Sequence, residues 1–140
     1  MAFMVWNDRL MTGIEAIDRD HRRLVAIINE LYGAMRGGGR WPELHEMLDR
    51  LLAYTRDHFA REERLFAATQ YPLAREHKAE HDALVAWLTK LQQRYAAGTV
   101  AAPSLELMNA LKDWLFDHIL GSDQRYVQHV MASGVLRRTG

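Results

Sequence analysis

The chain has 140 residues, with eighteen lysines and arginines against eighteen aspartates and glutamates, seven histidines and no cysteine. This length suits one domain with room for a substantial core, and the balanced charge provides no long-range field to attract nucleic acid or an anionic membrane surface. The lack of cysteine excludes disulfides, iron–sulfur clusters, thiolate zinc sites and a cysteine nucleophile.

The N-terminal stretch MAFMVWNDRL lacks the basic start and long apolar run of an export signal, and no segment approaches the length of a membrane span. We therefore expect a cytoplasmic protein with no membrane partner. The residues before Asp18, including Trp6, are predicted to form an arm that lies over the rest of the fold.

Three prolines and two glycine-rich stretches divide the remaining chain into four pieces. Each piece is long enough for a substantial helix, and none alternates with the period of a strand. Asp18 is the predicted N-cap of the first helix. The predicted helices cover about residues 18–36, 42–67, 72–96 and 104–131.

Residues that suit a buried seam recur at steps of three and four in every piece, which is typical of helices packed in a bundle. Short connections make neighbouring helices antiparallel. We therefore predict an all-α, up-down-up-down antiparallel four-helix bundle with an N-terminal arm, forming a single domain over residues 1–140.

The predicted seam contains polar residues where apolar ones are expected. Burying carboxylates and imidazoles costs several kcal/mol unless a partner or a metal compensates them. In this topology the start of helices one and three and the end of helices two and four share one end of the bundle. The polar seam residues that converge there, and that we predict to ligate metal, are His21, His58, Glu62, His77, His81, His118 and Asp123.

The spacing of these donors is consistent with one site. A step of four residues turns about 40° beyond a full circle, so His58 with Glu62, and His77 with His81, point the same way. His118 to Asp123 is a step of five, which an ideal helix aims poorly at a shared point. We therefore expect a local bulge near Gly121, a feature common at functional sites.

The stretch HKAEH from His77 to His81 also matches the HxxEH string of one class of zinc peptidase. A catalytic zinc needs only three protein ligands and an open position, so five imidazoles and two carboxylates are too many for it. Divided between two ions, the set suits iron, which accepts imidazole and bridging carboxylate ligands.

Several phrases of the sequence together resemble the hemerythrins in their compact bacterial form. They are Gly13-Ile14 and Ile17-Asp18 ahead of His21, HFAREE from His58, Tyr71-Pro72 followed by HKAEH, and DWLFDHILGSD from Asp113 to Asp123. The resemblance covers nearly the whole chain. It implies a non-haem di-iron centre with an oxo or hydroxo bridge, in which His77, His81 and His118 bind one iron, His21 and His58 bind the other, and Glu62 and Asp123 bridge both.

The resemblance further implies reversible dioxygen binding rather than enzymatic turnover, for oxygen storage, delivery to an oxygen-consuming enzyme, or sensing. Asp20 departs from the glutamine that the family often has before the first histidine, which predicts altered hydrogen bonding around His21. Glu80 is expected outside the ligand set, and Glu63 is expected to be a solvated charge. The walls of a dry oxygen pocket are predicted to be Leu24, Ile28, Phe59, Trp114, Leu115 and Ile119.

Three alternatives remain open on sequence alone. A di-iron oxidase or peroxidase would use a carboxylate-rich set with ExxH on two helices, and here histidines outnumber acids. A zinc peptidase would need a third ligand and a substrate cleft. A metal-free interaction bundle would leave the buried carboxylate of Glu62 unexplained.

Overall fold

The protein is a four-helix bundle, as predicted. The computed structural model describes residues 3–37, 41–97 and 105–135, so the predicted helix start at Ser104 lies outside the described residues. The described residues contain no strand. The helices are α1 (Glu15–Arg36), α2 (Trp41–Thr69), α3 (Ala74–Ala96), α4 (Leu105–His118) and α5 (Gln124–Ser133), and a π-helical turn (Ile119–Asp123) joins α4 to α5 as one long fourth helix.

The bounds of the helices differ from the predicted ones by a few residues. Helix α1 begins at Glu15, and the predicted N-cap role of Asp18 is wrong, because Ile14 occupies that position. From inside the helix, Asp18 instead accepts hydrogen bonds from the backbone N–H and hydroxyl of Thr12, both at 2.8 Å, and from the Gly13 N–H at 3.1 Å. The carboxylate thus fixes the turn that leads into the helix.

The other bounds are set by turn geometry. Helix α2 continues to Thr69 and ends where Gln70 adopts a left-handed conformation, with φ of 54°. Helix α3 begins at Ala74 rather than at Pro72, because the backbone N–H of Ala74 still closes a turn onto the Tyr71 carbonyl. Helix α5 ends at Ser133, before Gly134 with φ of 76°.

The N-terminal arm lies over the bundle, as predicted. The backbone N–H of Met4 donates to Asn29 Oδ1 at 2.7 Å, and Asn29 Nδ2 donates back to the Met4 carbonyl at 2.9 Å. Phe3 stacks on Tyr32 with ring centroids 4.2 Å apart, and the Lys112 ammonium of α4 lies 4.9 Å from the Phe3 ring. The arm therefore packs against both the first and the fourth helix.

Two clusters of buried apolar side chains fill the bundle. The larger cluster extends from the arm residues Met4 and Leu10 to Ile119 in the π-helical turn. The smaller one occupies the opposite end of the bundle and consists of Ile14, Ile17, Phe66, Tyr71, Tyr126, Val127 and Val130.

The predicted donors lie between the two clusters on every helix. In α1, for example, Ile17 belongs to the smaller cluster and Leu24 to the larger, with His21 between them. A layer of polar side chains therefore crosses the interior. None of the helices in the described part of the chain combines the length and apolar character needed to span a membrane.

Candidate metal centre

All seven predicted donors come together in the polar layer. Each is buried, and the side chains of Glu62 and Asp123 have no accessible surface. Their donor atoms form two overlapping sets, within each of which all atoms lie within 4.8 Å of one another. One set is Glu62, His77, His81, His118 and Asp123, and the other is His21, His58 and Glu62.

Glu62 belongs to both sets. Its Oε1 atom lies 3.1 Å from His58 Nε2, which is in the same helix, and 3.3 Å from His81 Nε2 on α3. The four-residue step from His58 places both side chains on the inner face of α2. A carboxylate in this position can bridge two cations.

Asp123 contacts the histidines of both sets through different oxygens. Its Oδ2 atom lies 3.1 Å from His21 Nε2, while its Oδ1 atom lies 3.0 Å from His77 Nε2 and 3.1 Å from His118 Nε2. The two oxygens of one carboxylate therefore face the two groups of imidazoles separately.

The π-helical turn explains how the five-residue step from His118 to Asp123 reaches one point. The turn spans Ile119–Asp123 and contains Gly121, so the bulge predicted there is confirmed. An α-helical step of five would leave the two side chains about 140° apart around the axis. The wider π turn removes most of that offset.

The donor atoms face a common point rather than one another, which is how metal ligands are arranged. Both oxygens of Glu62, both oxygens of Asp123, and the Nε2 atoms of His21 and His81 are buried and make no hydrogen bond within the described part of the chain. Buried polar atoms are rarely left unsatisfied. His77 Nε2 and His118 Nε2 lie 3.1 Å apart, which is close to the separation of adjacent nitrogens at about 2.1 Å from one ion. The residues present therefore fit a metal pair.

Without metal, charges within the layer compensate one another. Burial and the neighbouring Asp123 act to raise the pKa of Glu62, but the charge and proximity of His58, with the nearby His81, hold it below its usual range. Burial also acts to raise the pKa of Asp123, but His118 and the imidazoles of His21 and His77 hold it well below the usual range. Both carboxylates are thus ionised.

The pKa values of two histidines shift upward, opposite to those of the carboxylates. Burial acts to lower the pKa of His58, but the charge of Glu62 and the hydrogen bond to Asp20 raise it to about 10. Burial likewise acts to lower the pKa of His118, but the charge and proximity of Asp123, with the charges of Glu62 and Glu80, together raise it. Anionic oxygens and basic nitrogens are therefore preorganised at one place, which is the donor chemistry that a divalent cation requires.

Asp20 contacts a different histidine from the one predicted. It is buried and accepts a 2.9 Å hydrogen bond from His58 Nδ1, not from His21. It also accepts from the Tyr54 hydroxyl at 3.1 Å and from the Arg61 guanidinium. Asp20 thus makes no hydrogen bond to His21, because its side chain leaves α1 toward α2, and the expected effect on the bonding around His21 stays a prediction.

Glu63 is not the solvated charge that was predicted. Its Oε2 atom lies 3.0 Å from His81 Nδ1, and its side chain is 28% exposed. A turn of about 100° from Glu62 points it toward α3 rather than away from the bundle. It therefore orients His81 from the outer side, as carboxylates commonly do for metal-binding histidines.

Glu80 lies outside the ligand set, as expected. Its two oxygens accept from the Ser122 hydroxyl at 2.9 and 2.8 Å, and the Arg125 guanidinium donates to that hydroxyl at 3.2 Å. Glu80 Oε1 is 3.9 Å from His118 Nδ1. This cluster ties the π-helical turn to α3 at the rim of a cavity of about 210 Å³ that His77 also lines.

Aromatic rings cover the histidines of the larger donor set. Phe59 stacks on His81 with centroids 3.7 Å apart and planes within 5°, and Trp114 stacks on His118 at 4.6 Å and 13°. Phe66 lies 4.7 Å from the His77 ring. Such a shell keeps water away from the donors and controls the dielectric around them.

The residues predicted to wall an oxygen pocket all belong to the larger apolar cluster or pack against it. Leu24, Ile28, Phe59, Leu115 and Ile119 are buried in the larger cluster, and Trp114 packs against it while reaching the surface. Phe59 also lines a cavity of about 170 Å³ that reaches His81. Their role in holding oxygen stays a prediction.

Tyr126 is a site residue that sequence reasoning missed. Its side chain is fully buried, its ring centroid lies 5.2 Å from that of His77, and its hydroxyl makes no hydrogen bond to any described residue. Burial and the charges of Glu62 and Asp123 raise its pKa well above the usual value. Its position three residues after Asp123, on the inner face of α5, was the available signal.

Comparisons with known proteins agree with this geometry. Residues 12–130 match the model of the hemerythrin HHE cation binding domain. The chain is 37% identical to a bacteriohemerythrin of Stenotrophomonas maltophilia over 94% of its length and 84% of that relative. It is 32% identical to a bacteriohemerythrin of Methylococcus capsulatus over 90% of its length and 95% of that protein.

A comparison with solved structures also finds a hemerythrin. The fold superposes on a crystal structure of wild-type hemerythrin with a TM-score of 0.85 and 29% sequence identity, covering 92% of this chain and 98% of the other.

Proposed function

The chain belongs to the hemerythrin family, and from this premise we propose that its polar layer holds two non-haem iron ions, with an oxo or hydroxo bridge, at which dioxygen binds reversibly. Residues 1–140 are proposed to act as a single hemerythrin-like domain. One observation carries the proposal: seven buried donor atoms from all four helices converge in two sets that share Glu62.

The two sets suggest how the ligands are divided. His77, His81 and His118 would hold one ion and His21 and His58 the other, since Asp123 directs Oδ1 toward the first group and Oδ2 toward His21. Glu62 would bridge both. The ion with two histidines has fewer protein ligands, and we propose it as the place where dioxygen binds.

Ferrous ions at this site would supply the two electrons that dioxygen accepts on binding. The protein's contribution is to keep that exchange reversible by excluding water and anions. Phe59 and Trp114 cover His81 and His118 by direct stacking. Leu24, Ile28, Leu115 and Ile119 are buried in the larger apolar cluster, to which Phe59 also belongs. Such a dry surrounding would favour reversible release of oxygen over irreversible oxidation of the irons.

The composition of the site favours binding over turnover. Five imidazoles and two carboxylates leave no carboxylate-rich pair of the kind that di-iron oxidases use. We propose storage, delivery to an oxygen-consuming enzyme, or sensing as the physiological role. The cytoplasmic location stays a prediction from the sequence.

The test is anaerobic loading with ferrous iron followed by exposure to oxygen. We expect two iron ions per chain, a new visible absorption band on oxygenation, and loss of that band under vacuum through several cycles. Irreversible oxidation at the first exposure would support an oxidase instead. One zinc per chain in place of iron would support the peptidase alternative.

A further inference from the structure

Asp20 is a buried carboxylate that the proposed ligand set does not use. Its side chain is 2% exposed, and it accepts hydrogen bonds from His58 Nδ1 at 2.9 Å, from the Tyr54 hydroxyl at 3.1 Å and from the Arg61 guanidinium. Three donors converge on its two oxygens, including a guanidinium that always carries its protons, so the side chain acts as an acceptor-only carboxylate.

This anion determines which nitrogen of His58 faces the site. An ionised carboxylate only accepts hydrogen bonds, so Nδ1 of His58 must carry a proton. When the ring is neutral, Nε2 presents its lone pair toward the interior, where it lies 3.1 Å from Glu62 Oε1. His58 is thus held in the tautomer that binds metal through Nε2.

The outer carboxylates that face His81 and His118 are more exposed than Asp20. Glu63, which contacts His81 Nδ1, is 28% exposed, and Glu80, which lies 3.9 Å from His118 Nδ1, is 45% exposed. His21 Nδ1 makes no hydrogen bond to any described residue. Solvent screens the charges of Glu63 and Glu80 more than the charge of the buried Asp20. Among these three carboxylates, Asp20 therefore acts most strongly on the histidine that it contacts.

We propose that Asp20 is a positioning residue that lowers the reduction potential of the iron held by His21 and His58, acting through the His58 imidazole. A hydrogen bond from a metal-binding histidine to a carboxylate raises the basicity of the imidazole. The more basic ligand stabilises ferric over ferrous iron. This inference rests on the proposed function, since it assumes that His58 ligates iron.

Arg61 opposes this effect from the outer side. Its guanidinium contacts Asp20, and its side chain is 37% exposed, so solvent screens its charge while the carboxylate stays in the interior. Removing Arg61 and removing the charge of Asp20 should therefore shift the potential in opposite directions. A purely structural role for this cluster predicts no such change of sign.

The main experiment compares iron-loaded wild-type protein with D20N, D20E and R61M variants by redox titration under anaerobic conditions. We expect D20N to raise the midpoint potential, with a rise of about tenfold in the ferrous-to-ferric ratio at a fixed solution potential. D20E, which keeps the charge, should stay near wild type. R61M should lower the potential.

E63Q is the matched control, because it neutralises a carboxylate that contacts a histidine of the other donor set. Its shift should be smaller than that of D20N, since Glu63 is more exposed. A second measurement uses zinc-loaded protein labelled with nitrogen-15. The Nδ1 proton of His58 should resonate far downfield in wild type and move upfield in D20N, independently of any oxygen chemistry.

Equal potentials for wild type and D20N at equal iron content would overturn this inference and leave the proposed function intact. A shift in E63Q as large as that in D20N would overturn the assignment to the buried carboxylate. Wild-type protein that takes up no iron would overturn the proposed function, and the inference with it. If D20N loses the fold, D20E and R61M decide the outcome by the sign and size of their shifts.

Discussion

The Nε2 atom of His118 and the Oδ1 atom of Asp123 lie 3.1 Å apart although five positions separate the two residues in the chain. The π-helical turn between them makes this contact possible, because a π turn holds one more residue than an α turn. The turn therefore belongs to the site and is not a defect of the helix.

The π-helical turn does not require a residue as small as glycine at position 121. A Cβ atom added there would meet nothing within 4 Å in the described structure. We expect G121A to stabilise the protein by about 0.5 to 1 kcal/mol, since alanine loses less backbone entropy in a helix. Urea unfolding of metal-free protein measures the change, and iron content should stay at two per chain. Loss of iron would mean that the turn depends on the flexibility of glycine.

Gly13 is expected to respond in the opposite way. Its φ of 87° lies in the left-handed region, and an added Cβ would lie 3.3 Å from Met131 Cε. G13A should cost about 1 to 2 kcal/mol of unfolding free energy. The control is G33A, on an exposed and unobstructed part of α1, which should stabilise the protein. Equal effects in the two variants would contradict this account.

Glu62 is predicted to be essential for metal retention. E62Q keeps the size of the side chain but removes the charge of a fully buried group that would bridge the two ions. We therefore expect the average iron content to fall from two ions per chain to less than one. Iron content is measured by elemental analysis, and circular dichroism checks the fold. E46Q, at an exposed position of the same helix, should retain both ions. An E62Q protein with a full iron pair would show that Glu62 is not a ligand.

Metal should stabilise the fold by mass action. With free metal at a hundred times the dissociation constant, the gain is about 2.7 kcal/mol, which for a chain of this length corresponds to a rise of roughly 10 °C in melting temperature. Scanning calorimetry of anaerobic protein with and without ferrous iron tests this. The E62Q variant should show little rise, and an unchanged melting temperature in wild type would count against a buried site.

Phe59 is expected to protect the oxygenated state. F59L removes the ring that stacks on His81 at 3.7 Å and leaves space beside the donors. We expect faster loss of reversible oxygenation, followed as the decay of the oxygen-dependent absorption band over repeated cycles. F116L is a suitable control, because Phe116 packs against the same apolar cluster from its edge. Equal decay rates would argue against a protective role for the ring.

The sequence was sufficient to predict the bundle and to find every residue of the converging donor sets. Histidines and a glutamate at seam positions are costly without a partner, so their pattern carries strong information. The five-residue step to Asp123 even predicted the bulge near Gly121. These features depend on local spacing and on the fixed geometry of helices.

The outer partners of the donors were harder to predict. Asp20 contacts His58 rather than its neighbour His21, and Glu63 contacts His81 rather than solvent. Both contacts cross between helices, so they depend on helix rotation and side-chain direction that a single sequence does not determine. Tyr126 was missed for a related reason, since an inward-facing tyrosine resembles ordinary core until its surroundings are known.

The donor layer divides the apolar interior into two unequal parts, and this arrangement affects the order in which the protein would lose its metal and unfold. The donors that would hold the metal pair lie between the larger part and the smaller part, which surrounds Ile17, Phe66 and Tyr126. A bound metal pair would then cross-link the two parts of the core. Local unfolding around the smaller part would release the metal before the whole bundle unfolds, so the protein would lose its metal site while most of its helices remain.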